Sequence, residues 1–482
     1  MKGILMKKTI ALLLAAVMLS GICGCAKTGD GNTTGTGDTA GTTGGKTTVS
    51  TGNGQTTDKP DDTTKTPDDD TNVRVRMSGK PKEIKETDFS GYGLQVNDEG
   101  MITLNGKPFY GYGVNFHPAF HLALDKQFYG DMHTDIEAHF SKLAAEGIPV
   151  MRINFNIFYG KDVGLWDKAA SKDRWFGAMD YIIALAEKYN IGIIASLFWN
   201  VDSFCEYTGD KLDMITSPDS ASTLLRMKYI EEVVGRYKYS PAIYAWEIGN
   251  ELNLAVDIKN TEFIGTDGTK KMFTSEMLTA YYKLIGEAIR KEDPYRMITG
   301  GDAAPRLCSM ALWRSGGNVW QPNNSYDENK TTFQWYTPAP LDTISLHYPE
   351  LEYMEDYVKI AKELKIGLYV GEFHSTLFHD NPGDKISPEE NENEAREQST
   401  WYEIRDTFER LGVQLTTYWC YGSYSQARRI DSASLELGVL DGYVNNYYVN
   451  EGLKEVNEKF ISEGKNDAVS YWNSAEYALF GK

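Results

Sequence analysis

Residues 242–253 read AIYAWEIGNELN. Ala242 to Trp246 are apolar or aromatic, and the segment then turns into Glu247, Asn250, Glu251 and Asn253. A short apolar run of this kind reads as a strand buried on both faces. Two carboxylates and two amides at its end serve no packing purpose, so the strand delivers them somewhere.

Other stretches repeat the pattern. Strands are expected at 109–117 (FYGYGVNFH), 148–156, 191–200 (IGIIASLFWN), 242–250, 297–302 (MITGGD), 343–349 (TISLHYP), 366–373 (IGLYVGEF) and 413–421 (VQLTTYWCY). Apolar spacing near 3.6 residues predicts helices over 134–146, 173–189, 221–238, 273–292, 352–364 and 393–411. The helix after Asp302 is poorly defined. Strands alternating with helices give an α/β fold with a parallel sheet, and eight of them predict a closed (β/α)8 TIM barrel. An open doubly wound sheet is the alternative. Ahead of the barrel, LQVNDEGMITLNGKPF reads as a β-hairpin with turns at NDEG and NGK.

In such a barrel the active site lies at the C-terminal ends of the strands. Polar groups gather there. Strand one ends in Asn115 and His117, strand two carries Arg152, Asn154 and Asn156, and strand three ends in Trp199 and Asn200. Strand four gives Asn250 and Glu251, strand six His347 and Tyr348, strand seven Glu372 and His374, and strand eight Trp419. Each alone could be a satisfied core group or a helix cap. Seven strands doing it together point to a site.

Glu251 and Glu372 close strands four and seven, across the mouth from each other. Paired carboxylates flanking a bond are the equipment of glycoside hydrolysis: one protonates the leaving oxygen, the other attacks carbon or activates water. The acid needs burial or a negative neighbour to raise its pKa, and the nucleophile needs cationic or hydrogen-bond donors. Arg152 suits the second task. Glu247 is the rival to Glu251, but its place inside the apolar run suggests a deeper partner such as Arg152.

WEIGNELN resembles the Asn-Glu motif of clan A glycoside hydrolases, and specifically family 5, the cellulases and mannanases. The stretch MITLNGKPFYGYGVNFH is similar to that family's opening, RINF to its strand-two arginine, VGEFH to its nucleophile strand and YWCYG to its strand-eight tryptophan. The likeness covers roughly residues 92–425. It implies Glu251 as acid/base and Glu372 as nucleophile, with retention of configuration. It implies that Asn250 binds the sugar 2-hydroxyl, that Arg152 and Tyr348 hold Glu372 ionised, and that Trp419 forms the sugar-stacking floor. His117, Trp199 and Asn200 join the expected substrate-binding set. Two departures stand out. The family pattern on strand six is His-x-Tyr, whereas His347 and Tyr348 are adjacent, which turns His347 to the other side of the strand if Tyr348 takes the family position. Strand three offers Trp199 and Asn200 in place of a histidine, which is reminiscent of mannanase-type members.

The chain has 482 residues and a formal net charge of −19, with 30 Tyr and 10 Trp. A large core is affordable, and aromatic side chains can also stack on sugar rings. No basic stripe is present, so nucleic acid is excluded as a partner. Three cysteines more than a hundred residues apart (Cys205, Cys308 and Cys420) form no disulfide framework, although one pairing stays open. No CxxC or HxxxH spacing suggests a metal, and neither metal nor cofactor is expected. His133 and His139, six apart, do not share a helix face.

Residues 1–25 carry Lys2, Lys7 and Lys8, an apolar stretch TIALLLAAVMLS and then ICGC. This is an export signal, and its end resembles a bacterial lipobox, which implies lipidation of Cys25. Ordinary signal cleavage nearby is the alternative. Residues 26–82 form a Thr/Gly/Asp-rich linker, expected to be disordered. Its first ~47 residues would span roughly 40 Å root-mean-square. The expected product is a catalytic domain over 83–482, a monomer, tethered on the outer face of a bacterial membrane or secreted. It would cleave β-1,4-linked mannan or glucan. Long segments at 200–220, 254–272 and 314–340 are expected to build a cleft, with Trp313, Trp320 and Trp335 either stacking on sugar or packing the last one down. A lipid-anchored carbohydrate-binding protein without hydrolytic activity is the alternative reading, and a barrel that has lost its chemistry is a third.

Overall fold

The computed structural model describes residues 80–479, apart from 118, 125–135, 158, 259–261, 306–323, 375–387 and 422–446. The side chains of 156, 157, 388–397 and 447 also lie outside the description. So do the expected signal, Cys25, most of the linker, His133, Cys308, Trp313 and Trp320.

Eight parallel strands close into a barrel. In spatial order they are Met297–Thr299, Thr343–His347, Gly367–Glu372, Leu415–Tyr418, Gly111–Asn115, Val150–Ile157, Gly192–Phe198 and Ile243–Glu247, the last pairing back to the first. These are the eight strands expected, in a (β/α)8 TIM barrel. Their side chains are buried on both faces because helices cover the outside, which is why they read as apolar runs and not as alternating ones.

The expected helices form at Ile136–Ala145, Ala169–Tyr189, Ala221–Tyr237, Ser275–Glu292, Met354–Leu364 and Pro388–Leu411. Local chemistry starts several of them. Ser220 accepts a hydrogen bond from Thr223 N–H, Thr274 accepts from Met277 N–H, and Ser325 and Glu328 form a reciprocal capping box. That box opens a helix over Tyr326–Tyr336, inside the stretch expected to be a cleft loop. Trp335 lies on this helix, partly buried against the core. The 200–220 segment holds a short helix, Ser203–Thr208, and the 254–272 segment holds a two-stranded ribbon, Glu262–Ile264 with Lys270–Met272.

The N-terminal hairpin pairs Leu94 with Leu104 and Val96 with Ile102. Its turns use the expected residues. Asn105 and Gly106 take φ of 50° and 73°, and Gly100 takes 80° while Asn97 Oδ1 accepts from Glu99 and Met101 N–H. Gln414, just before the eighth barrel strand, fastens the hairpin: it accepts from Ile102 N–H and donates to the Ile102 and Phe109 carbonyls.

Below the core, Asp293 and Arg296 form a buried ion pair at 2.7 Å, and Trp246 Nε1 donates to the same carboxylate. Arg296 also donates to the Ile243 and Ser240 carbonyls, fixing the entry of the fourth barrel strand. Cys205 and Cys420 are buried free thiols, so these two do not pair. Among the described residues no helix is long and apolar enough to cross a membrane.

Candidate active site

Arg152 organises the mouth. Its guanidinium is fully buried and donates from Nε to Glu247 Oε1 at 2.8 Å. One terminal nitrogen donates to Asn115 Oδ1 at 3.0 Å and to Glu372 Oε1 at 2.7 Å, and the other to Asn250 Oδ1 at 2.8 Å. Burial acts to strip its charge, but the fields of Glu247 and Glu372 outweigh that and hold the guanidinium charged.

The four polar residues that end the fourth strand each have a task. Glu247 and Asn250 accept from Arg152. Asn253 is buried and exchanges two hydrogen bonds with Ala303, tying the fourth strand's loop to the end of the fifth. Glu251 turns into the mouth. Its backbone N–H donates to Gly301 O, and its φ of 52° is one that residues with side chains rarely adopt.

Glu251 meets Glu372 at His347. The imidazole Nδ1 lies 3.2 Å from Glu251 Oε1 and 3.3 Å from Glu372 Oε1. Glu251, Glu372 and His347 form one group in which a carboxylate oxygen of each glutamate and a ring nitrogen lie within 4.8 Å of one another. Among the described residues this is the one His/Cys/Asp/Glu group arranged so that it could hold a metal.

The environment sets the charges. Burial raises the Glu251 carboxyl to about 7, against a smaller pull downwards from Arg152. Burial also raises Glu372 to about 7, with Glu251 and Glu247 adding to the rise and His347 and Arg152 opposing it. Both cannot ionise freely at this separation, so the pair shares a proton near neutral pH. Arg152 touches Glu372 directly and not Glu251, which places the proton on Glu251. Burial lowers His347 to about 4, so its imidazole is neutral at pH 7.

The sequence reading put Tyr348, and not His347, beside the nucleophile. The structure brings His347 in. The sixth and seventh strands slip register at Gly371: Leu346 pairs with Val370, but His347 pairs with Glu372. That irregularity raises Glu372 to the level of the imidazole. A Cβ on Gly371 would stand 2.6 Å from His347 Nε2 and 2.8 Å from Ser345 Oγ, so only glycine leaves the ring its seat. Tyr348 takes a φ of 51°, its N–H donates to the Glu372 carbonyl and its ring packs edge-on against His374.

Around the carboxylates, His117 stacks on Trp419, with centroids 4.8 Å apart and planes 14° from parallel. Trp199 and Asn200 sit half-buried at the end of the third strand. Asn154 is buried on the same strand face as Arg152. Asp302 is a further group at the mouth, outside the set expected from the sequence. Its side chain is buried at the end of the fifth strand, accepts from Tyr282 O–H at 2.6 Å, and is pushed well above the carboxylate range by burial and by Glu247 and Glu251. The polar ending of MITGGD was its signal.

Such a mouth can hold a polar substrate between an aromatic floor and a carboxylic acid facing a carboxylate. Similar proteins bear on which chemistry it serves. A Rhizomucor miehei glycoside hydrolase family 5 mannosidase shares the fold, with a TM-score of 0.52, 15% identity, and coverage of 78% of this chain and 99% of that one. Mannan endo-1,4-β-mannosidase F of Aspergillus clavatus is 28% identical over 225 residues, covering 39% of this chain and 51% of that one. A probable mannan endo-1,4-β-mannosidase F of Aspergillus oryzae is 30% identical over 215 residues, covering 39% and 42%. The matched region thus spans about half the length of these curated relatives or less. The family model for cellulase (glycosyl hydrolase family 5) matches residues 102–425, from the hairpin through the eighth strand and most of the chain between. With Arg152, Asn250, Glu251 and Glu372 all inside that match, the chain belongs to glycosyl hydrolase family 5.

Proposed function

We propose that the protein is a retaining endo-β-mannanase that cleaves β-1,4-linked mannan by double displacement. The observation that carries this reading is the convergence of Glu251 and Glu372 on His347, with their facing oxygens within 4.8 Å. Retaining glycosidases hold their carboxyl groups roughly 5 Å apart, and inverting ones leave several ångströms more for a water.

In the first step Glu251, carrying the shared proton, gives it to the departing sugar's oxygen. Glu372, kept anionic by Arg152, attacks the anomeric carbon and forms a glycosyl ester. In the second step Glu251, now a carboxylate, takes a proton from water as the water opens that ester. Asn250, anchored through its oxygen to Arg152, keeps its N–H2 group for a substrate hydroxyl. The His117–Trp419 stack offers a flat surface for a sugar ring. Mannan is favoured over glucan by the names of the relatives and by Trp199 and Asn200 on the third strand.

The test is release of new reducing ends from mannan, glucomannan, carboxymethylcellulose and xylan by the full chain and by Glu372→Gln. Release from the two mannans that is lost in the variant supports the reading. Binding without cleavage would favour the carbohydrate-binding alternative. The sequence of residues 1–25 supports a lipid anchor at Cys25, facing outwards. Incorporation of labelled fatty acid that is lost in Cys25→Ser tests it.

A further inference from the structure

Three side chains, from the loop after the fourth strand and from the ends of the sixth and seventh, bring one ligand atom each to a common spot. His347 Nδ1 stands 3.2 Å from Glu251 Oε1 and 3.3 Å from Glu372 Oε1. Around a four-coordinate zinc ion with bonds of about 2.0–2.2 Å, neighbouring ligand atoms stand about 3.3–3.5 Å apart. Two of the three edges, at 3.2 and 3.3 Å, stand close to that length. On the third edge, one carboxylate oxygen of Glu251 and one of Glu372 lie within 4.8 Å of each other.

Charge favours a dication. Arg152 is matched by Glu247, which accepts from it at 2.7–2.8 Å, so the Glu251–Glu372 pair, even while it shares one proton, leaves the mouth net negative. Access is open on one side: the Glu251 side chain is 14% exposed, whereas those of Glu372 and His347 are 4% and 0%. The floor of the cluster is rigid, because Gly371 seats the imidazole and Arg152 fixes Glu372. One imidazole and two carboxylates suit zinc, cobalt and copper, and a solvent water completes the fourth position.

We propose that Glu251, His347 and Glu372 form a binding site for one transition-metal dication of the zinc class, reached from the mouth and mutually exclusive with substrate. Binding rests on the geometry alone. Its effect, reversible inhibition by occupying both carboxylates, rests on the hydrolase reading.

The experiment titrates cobalt(II) alone into the full, chelator-treated chain and follows visible absorption, with calorimetry using zinc(II). One ion per chain and the intense bands of four-coordinate cobalt are expected. His347→Gln and Glu251→Gln should each lose the bands and bind roughly tenfold or more weakly, the scale seen when a metal site loses even its supporting groups. Weak absorption of six-coordinate cobalt, or binding unchanged in both variants, overturns the site. Should a variant fail to fold, crystals of the unaltered chain soaked in zinc decide: an anomalous peak between the three side chains supports the site, and a peak only elsewhere refutes it. Zinc inhibition of mannan cleavage, reversed by a chelator, is the separate arm. Metal binding to a chain that cuts no polysaccharide would leave the site standing and remove only the inhibition.

Discussion

Arg152 and Glu372, from the second and seventh barrel strands, meet as a buried ion pair at 2.7 Å. The same guanidinium holds Glu247, so one cation serves two carboxylates in a water-poor interior. Buried pairs of this kind contribute little net stability when intact, but breaking one is costly.

Arg152→Met should therefore lower stability by about 3–5 kcal/mol, since two buried carboxylates lose their counter-charge. It should also raise the Glu372 carboxyl further, so the acid limb of activity moves to higher pH. Denaturant melts and a pH profile of kcat/KM check both. Unchanged stability would mean that water or rearrangement replaces the cation.

Glu251 and Glu372 should separate by their response to a small nucleophile. Glu251→Ala should lose roughly 100- to 10,000-fold on mannan. It should regain turnover with azide on an aryl mannoside whose leaving group needs no proton, giving a mannosyl azide of retained configuration. Glu372→Ala should gain no such product. Chromatography and NMR of the azide adduct read the outcome, and an inverted product from Glu251→Ala would reverse the assigned roles.

The pH dependence follows from the raised carboxyls. Activity needs one proton on the pair, so kcat/KM measured with chelator should be bell-shaped. Its alkaline limb should report loss of the Glu251 proton near pH 7. Stability should follow a related trend. A carboxyl whose folded pKa is raised from 4.5 to about 7 binds more protons folded than unfolded between those values. Stability at this site is thus full below about pH 4.5 and declines as pH rises towards 7. Glu251→Gln removes the ionisation, so its melting temperature should exceed that of the unaltered chain at pH 7.5 by an amount worth roughly 1–3 kcal/mol. The two proteins should converge near pH 5. A variant less stable at pH 7.5 would argue against a strained acid.

Gly371→Ala places a methyl 2.6 Å from His347 Nε2 and forces the imidazole off its seat. The expected loss is about 1–3 kcal/mol of stability, from overpacking. Activity should fall and the alkaline limb should shift, because the ring no longer bridges the carboxylates. Loss of stability with an unchanged pH profile would show that the ring tolerates displacement.

The barrel was legible because strands buried on both faces are apolar runs, and runs such as AIYAW and GIIASLF carry that pattern without help from their neighbours. Arg152, Glu251 and Glu372 were legible because ionisable groups at the ends of apolar strands stand out. His347 was not. Strict alternation made His347 and Tyr348 a choice between faces, whereas a register slip set by Gly371 and a left-handed Tyr348 decide it, and both belong to the paired strands and not to either sequence alone. Asp302 was hidden for a different reason: its buried carboxyl makes sense only beside Tyr282, twenty residues earlier on another element. Within the expected cleft loop at 314–340, Ser325 and Glu328 announce the 326–336 helix by their capping-box spacing.

The N-terminal entry has a practical consequence. Lys82 and Arg236 meet at the last turn of the 221–237 helix, Lys85 N–H donates to the Ala478 carbonyl, and Tyr471, through Gly93 and Pro241, fastens the chain below the start of the fourth strand. The polypeptide thus enters at the end of the barrel opposite Glu251 and Glu372. A bead, a surface or a fused module joined directly at residue 80 would start from the end of the barrel away from the mouth. Immobilisation through that end should leave entry of a long, stiff chain unhindered, whereas attachment through loops that follow the strands would stand in its path.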